Sequence, residues 1–151
     1  MTNWCDNLLR VNGPATELAR FKTQAIGFCP WDSAEARQAP EVLNFHSLVP
    51  VPVELWALAD NAARCDWLKR HWGCVSGAFR ATVEDICDDS SLFQFLTAWS
   101  PPVPFLESVS RSWPSLVFVL DYEEQWMAFK GLARAAAGSL QHLCVDVYPS
   151  N

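Results

Sequence analysis

Two groups of carboxylates are the side chains of this chain best placed to do chemistry. Glu84, Asp85, Asp88 and Asp89 lie close together in a stretch, between Arg80 and Arg111, that holds no Lys or Arg. Asp121, Glu123 and Glu124 flank Tyr122 at the end of an apolar run. Carboxylates held near one another shift each other's proton affinity, the basis of acid–base work in glycosidases. On an open surface they instead attract cations and steer a basic partner. Strand alternation puts Asp121 and Glu123 on one face and Glu124 on the other. One same-face pair is therefore available for either use.

Sulfur and imidazole offer less. Cys65, His71 and Cys74 form one loose group across a helix end, without the two tight ligand pairs of a structural zinc site. No metal is expected, and no cofactor. Cys5 or Cys74 could meet His46 or His71 as nucleophile and base, but nothing in their spacing points to it. The glycines are scattered, with no Gly-x-Gly-x-x-Gly or Walker pattern to cradle phosphate. No catalytic residue is assigned.

The composition narrows the partners. Seventeen acidic residues against eleven basic ones give a net charge of -6, which argues against binding phosphate backbones directly. Eight tryptophans is a high count for 151 residues, so some rings are expected in a groove or an interface. Trp99 and Trp126 are the candidates for an aromatic anchor. None of the six cysteines forms a Cys-x-x-Cys pair, and no apolar leader precedes Trp4. Reduced thiols, a cytoplasmic setting and no membrane span are expected.

The elements that must position these residues read as one α+β domain over 1–151. A first strand covers 4–12, with Cys5, Asn7, Leu9 and Val11 on its buried face. Gly13-Pro14 ends it, and a helix carrying Leu18, Phe21 and Ala25 follows, closed by Gly27. Residues 28–42 read as a loop, and Val42–Val49 as a short strand or extended segment. A helix is predicted from Glu54 to about Arg70, with Leu55, Leu58, Ala59, Ala62 and Ala63 on one stripe. Ala78–Ile86 and Leu92–Ala98 form a hairpin around Asp88-Asp89-Ser90-Ser91. A helix over Val103–Ser112, a strand over Val117–Tyr122 and a closing hairpin from Met127 to Tyr148 complete the order. Strands and helices mixed without regular βαβ repetition favour an antiparallel sheet with helices on one face.

Several blocks resemble a known family. Asn3-Trp4-Cys5-x-Asn7-x-Leu9-x-Val11-x-Gly13 is similar to the start of the YubB-type proteins, which carry a ferredoxin-like domain. Asn44-Phe45-x-x-Leu48-Val49-Pro50-x-Pro52, Trp72-Gly73-Cys74, Thr97-Ala98-Trp99-Ser100-Pro101-Pro102 and Tyr122-Glu123-Glu124 followed by Phe129-x-Gly131 fit in the same order. The chain departs from the family in having Gln125-Trp126 where a glycine-containing turn is usual. It also lacks the tryptophan expected soon after Cys74. The resemblance implies a ferredoxin-like α+β fold without an iron–sulfur cluster. It also implies a setting in bacteria, plasmids or phages, among accessory genes of unassigned activity, and it supplies no catalytic residues.

The function expected from these observations is a non-enzymatic protein-interaction module of a phage or mobile element. Its concrete form is an anti-defence inhibitor of the anti-CRISPR type. An acidic, Trp-bearing surface would face a basic, nucleic-acid-handling complex, with carboxylates standing where phosphates would bind. The partner-binding residues in this reading are Glu84, Asp85, Asp88, Asp89, Trp99, Glu123, Glu124 and Trp126. The alternative is a small enzyme or ligand-binding domain with a pocket around Trp99, Asp121, Tyr122 and Glu123. A homodimer seamed by exposed tryptophans is the third reading.

Overall fold

A computed structural model describes residues 2–57 and 61–148. Its framework is a six-stranded, wholly antiparallel sheet in the order β2-β3-β1-β4-β5-β6. The strands are β1 (Trp4–Asn12), β2 (Phe79–Cys87), β3 (Ser90–Ala98), β4 (Val117–Glu124), β5 (Phe129–Ala136) and β6 (Ser139–Asp146). The longer helices are α1 (Ala15–Gln24), α4 (Ala62–His71) and α5 (Val103–Ser112). Two single turns, α2 (Ala34–Arg37) and α3 (Phe45–Leu48), lie between α1 and α4.

β1 pairs with β3 on one side and β4 on the other. The runs β1–α1–α4–β2 and β3–α5–β4 are therefore two interleaved split βαβ units, the ferredoxin-like arrangement. β5 and β6 extend the sheet as a meander. The expected antiparallel α+β sheet with helices on one face is thus the observed one.

The sequence dictates which face is covered. Along β1 the burial alternates, with Cys5, Asn7, Leu9 and Val11 inside and Asp6, Leu8 and Arg10 outside. Leu18 and Phe21 of α1, Ala25 just after it, and Phe105, Leu106 and Val109 of α5 supply the facing layer. Phe21 meets Phe93, Phe118 and Trp113 edge-on, the geometry that the ring quadrupole favours. The other sheet face carries no helix among the described residues.

Two sequence expectations are corrected between α1 and α4. Val42–Val49 is not a strand: Asn44 caps α3 by accepting the Ser47 N–H (2.9 Å), and Leu43, Phe45 and Leu48 are buried together. Phe45 stacks on Phe105 at 3.9 Å, so a helical turn aims it at α5 where an edge strand could not. The helix expected from Glu54 begins at Ala62. Val53–Leu55 is a 3₁₀ turn closed by Trp56, whose indole N–H donates to the Val51 carbonyl at 2.7 Å. Leu58 and Ala59 of the predicted stripe lie outside the described residues. At the β2–β3 hairpin the turn is shorter than expected, because Ser90 and Ser91 belong to β3.

Candidate functional site

The open face of the sheet brings together three carboxylates from its two central strands. Asp6 on β1 lies directly opposite Glu123 on β4, and Leu8 opposite Asp121, so Asp121 sits one diagonal step from Asp6. Like charges placed directly across a ladder destabilise it. Among the described residues none of the three makes an ion pair. They line a cavity of about 420 Å³ with Arg80, Thr82 and Gln94. Cationic side chains border it, Arg80 within the lining and Lys130 directly across from Glu123 on β5. Arg80 holds a left-handed backbone (φ 54°), an unusual state for a non-glycine residue and one that recurs at functional sites.

The rim at one end of this face is aromatic. Trp4 stacks on Phe79 at 4.8 Å, and the Arg80 guanidinium lies over the same Phe79 ring at 5.1 Å. Just beyond β3 at this end, Trp99 is half exposed on a left-handed backbone (φ 71°), its backbone N–H donated to the Asn3 carbonyl, but its ring lines a hollow apart from the cavity. At the same end, the β4–β5 turn presents Trp126 and Met127, exposed by 77% and 63%. A basic side chain entering the cavity would meet carboxylates at its centre and aromatic faces at its rim. That combination binds ammonium and guanidinium groups.

The structure divides the predicted partner-binding residues. Trp99, Glu123 and Trp126 gather at the aromatic end. Glu84, Asp85, Asp88 and Asp89 lie toward the opposite end of the strands, roughly 23 to 33 Å from Trp99 along the sheet at the rise of a β-strand. They do not form one surface among themselves either. Glu84 points to the open face, whereas Asp85 points to the helix side, where Lys22 (2.7 Å) and Ser91 donate to it and hold its carboxyl below the usual range. Glu124 is taken off the surface altogether. It is fully buried and accepts the backbone N–H groups of Trp126 (3.0 Å) and Met127 (2.6 Å), capping the turn.

The alternative pocket is likewise divided. Asp121 and Glu123 share the cavity, but the Tyr122 ring lies on the covered face, its hydroxyl 2.5 Å from His142 Nε2. Trp99 instead lines a separate hollow with Cys65, Lys69 and Cys74. Cys65, His71 and Cys74 do not converge as ligands. His71 stacks on Trp67 at 4.3 Å, and among the described residues no group of three or more His, Cys, Asp or Glu is placed to hold a metal. Burial pushes the Cys5 and Cys74 thiols up to about 12, leaving them protonated and poorly nucleophilic.

Several residues of the blocks singled out in the sequence hold the scaffold together. Asn7 donates to Thr97 Oγ1 (2.9 Å), Thr97 to the Ser100 carbonyl (2.7 Å), and Ser100 to the Gly73 carbonyl (2.5 Å). The Trp72 indole N–H reaches the Val49 carbonyl at 3.0 Å. Gly131 leaves room for the Tyr122 ring, since a Cβ there would lie 2.2 Å from its hydroxyl. Asp6, Arg80, Thr82 and Gln94 were absent from the sequence-based set. Alternation places Asp6 outward, but only the β1–β4 register sets it against Glu123.

Comparison with known proteins agrees with this architecture. Residues 78–147, from β2 to β6, match the family model described as a ferredoxin-like domain in Api92-like protein. That span is just under half of the chain. Among solved structures, the crystal structure of a protein api92 from Yersinia pseudotuberculosis is similar over 100% of this chain and 99% of that one. Its TM-score is 0.74 at 9% sequence identity. At that identity the likeness is one of fold. No curated protein sequence matches.

Proposed function

We propose that the open sheet face binds a protein partner through a basic side chain, with the Asp6–Asp121–Glu123 cavity as the seat and the aromatic end as the anchor. The observation that carries this reading is the convergence of three carboxylates without an ion pair on an uncovered face. A Lys or Arg from a partner would relieve their mutual repulsion, and the exposed Trp99 and Trp126 would supply apolar area at low entropic cost. The net charge of -6 favours fast association with a basic surface. A nucleic-acid-handling complex presents such a surface. In its sharpest form the reading is a non-enzymatic, anti-defence inhibitor of a phage or mobile element, acting in the cytoplasm.

The test is affinity capture from bacterial lysate at about 50 and 500 mM salt, where surface attraction is screened to different degrees. Wild type is compared with the triple variant Asp6→Asn, Asp121→Asn, Glu123→Gln and with Asp88→Asn, Asp89→Asn. A partner held at low salt, released at high salt and lost only with the triple variant supports the reading. Equal capture by wild type and the triple variant removes it. A second reading rests on the cavity itself, whose volume suits a small cationic ligand. It is supported if an amine stabilises wild type, but not the triple variant, in a thermal-shift screen.

A further inference from the structure

The two edges of the sheet are built differently. β2 slips register twice, between Phe79 and Thr82 and between Asp85 and Cys87, and carries Glu84 and Asp85. Bulges and charges of this kind are how sheets discourage pairing with another chain. β6 has neither device. It pairs with β5 without interruption over all eight residues, contains no Lys or Pro, and bears one formal charge, Asp146 at its last position. Every residue of β6 except Leu140 is exposed, on both faces of the sheet. Among the described residues nothing stands between its outer edge and an incoming strand.

The hairpin tells which backbone groups point outward. Ala137 and Gly138 (φ 49° and 83°) make the two-residue turn, and Ala136 and Ser139 close it. In such a ladder alternate residues exchange hydrogen bonds with the partner strand. Gln141, Leu143 and Val145 therefore turn their N–H groups toward β5, in step with the bond from the Val147 N–H to the Ala128 carbonyl. Those of Leu140, His142, Cys144 and Asp146 face away.

We infer that β6 is a pairing edge whose occupant is β6 of a second copy of the chain, antiparallel about a two-fold axis at Cys144. A two-fold axis normal to the sheet keeps both open faces on one side and brings residues of matching orientation together. In this register Leu143 of each copy meets Val145 of the other on the open face, where they are exposed by 66% and 48%. His142 of each meets Asp146 of the other on the helix side. Apolar pairs and polar pairs able to hydrogen-bond across the strands are among the units that stabilise a ladder. The register centred on Leu143 sets Asp146 against Leu140 and Gln141 against Val145, and loses both matches. The acidic β2 edge lies five strand spacings from the seam, roughly 24 Å, so the two negative copies meet where their charge is lowest. This seam is independent of the open-face cavity and involves neither Trp99 nor Trp126.

One strand pair is small beside the roughly 1,600 Å² of a standard interface. The dimer is therefore weak and is read across concentration. The experiment is light scattering on the purified full chain from about 5 to 500 µM, with Leu143→Lys and Val145→Lys as edge variants and Val83→Lys on β2 as the control. Circular dichroism verifies that each variant is folded. Mild oxidation at the top concentration adds a second readout, because residues directly across an antiparallel ladder have Cα atoms close enough for a disulfide. The expected result is a concentration-dependent dimer for wild type and Val83→Lys, monomer for both edge variants, and a covalent dimer that disappears with Cys144→Ser. A monomer at every concentration, a dimer unaffected by the edge variants, or a covalent dimer that survives Cys144→Ser overturns the inference.

Discussion

Glu124 offers the sharpest test of how the molecule holds its aromatic end together. Its carboxylate is fully buried and accepts the N–H groups of Trp126 and Met127 at 3.0 and 2.6 Å, so one side chain closes the β4–β5 turn. A hydrogen bond to a charged group contributes about 1.5–3 kcal/mol, which gives about 3–6 kcal/mol for two. The Trp126 and Met127 side chains are exposed, so water reaches the turn and restores part of what Glu124→Ala removes. The expected loss is about 2–4 kcal/mol. For a chain of this length each kcal/mol lowers the melting temperature by about 2–4 °C, so a fall of roughly 5–15 °C follows. Glu124→Gln keeps one acceptor oxygen and should lose about half as much. Urea denaturation is the assay, and an unchanged slope with a lowered midpoint identifies a change in stability. A Glu124→Ala midpoint equal to that of wild type would refute the capping argument.

The other predictions follow from burial. Gly131→Ala should destabilise the protein by more than about 2 kcal/mol, because the new Cβ would lie 2.2 Å from the Tyr122 hydroxyl and 2.6 Å from the Leu143 carbonyl; thermal melting checks it. Burial pushes the thiols of Cys5, Cys29 and Cys74 up to about 12. In the native protein at pH 8 they should resist alkylation while exposed Cys144 is modified, as peptide mass mapping will report. Burial also lowers the proton affinity of His46, whose Nδ1 accepts the Val51 N–H. The unfolded chain then takes up a proton first as pH falls, so this contribution is complete above about 6.5 and is lost as pH drops through the lower folded value. Half-buried Glu41, raised by desolvation, carries the opposite slope above 4.5. Comparing urea midpoints of wild type and His46→Gln between pH 5 and 7.5 isolates the histidine, and parallel curves would count against it.

Much of the fold was legible because the sheet is amphipathic. β1 alternates cleanly, its buried set of Cys5, Asn7, Leu9 and Val11 being the one that periodicity selects. The helices flanked by Pro14 and Pro102 carry their apolar residues at helical spacing. The crossover from 25 to 61 was less legible, since an apolar run as short as Val42–Val49 fits strand and helix alike. Its outcome was decided by the Asn44 cap and by the Phe45 ring finding Phe105, some sixty residues away in the chain.

By itself the amino-acid sequence determined the α+β class, the buried face of the central strand, the hairpins, and the excess of negative charge. These depend on local alternation and composition, which the order of residues states directly. Tertiary structure alone decided which acids meet. It separated Glu84, Asp88 and Asp89 from the tryptophans, buried Glu124 under a turn, and set Asp6 against Glu123 across the β1–β4 ladder. Strand register is fixed by packing between segments more than a hundred residues apart, and a shift of one residue would carry every side chain to the other face.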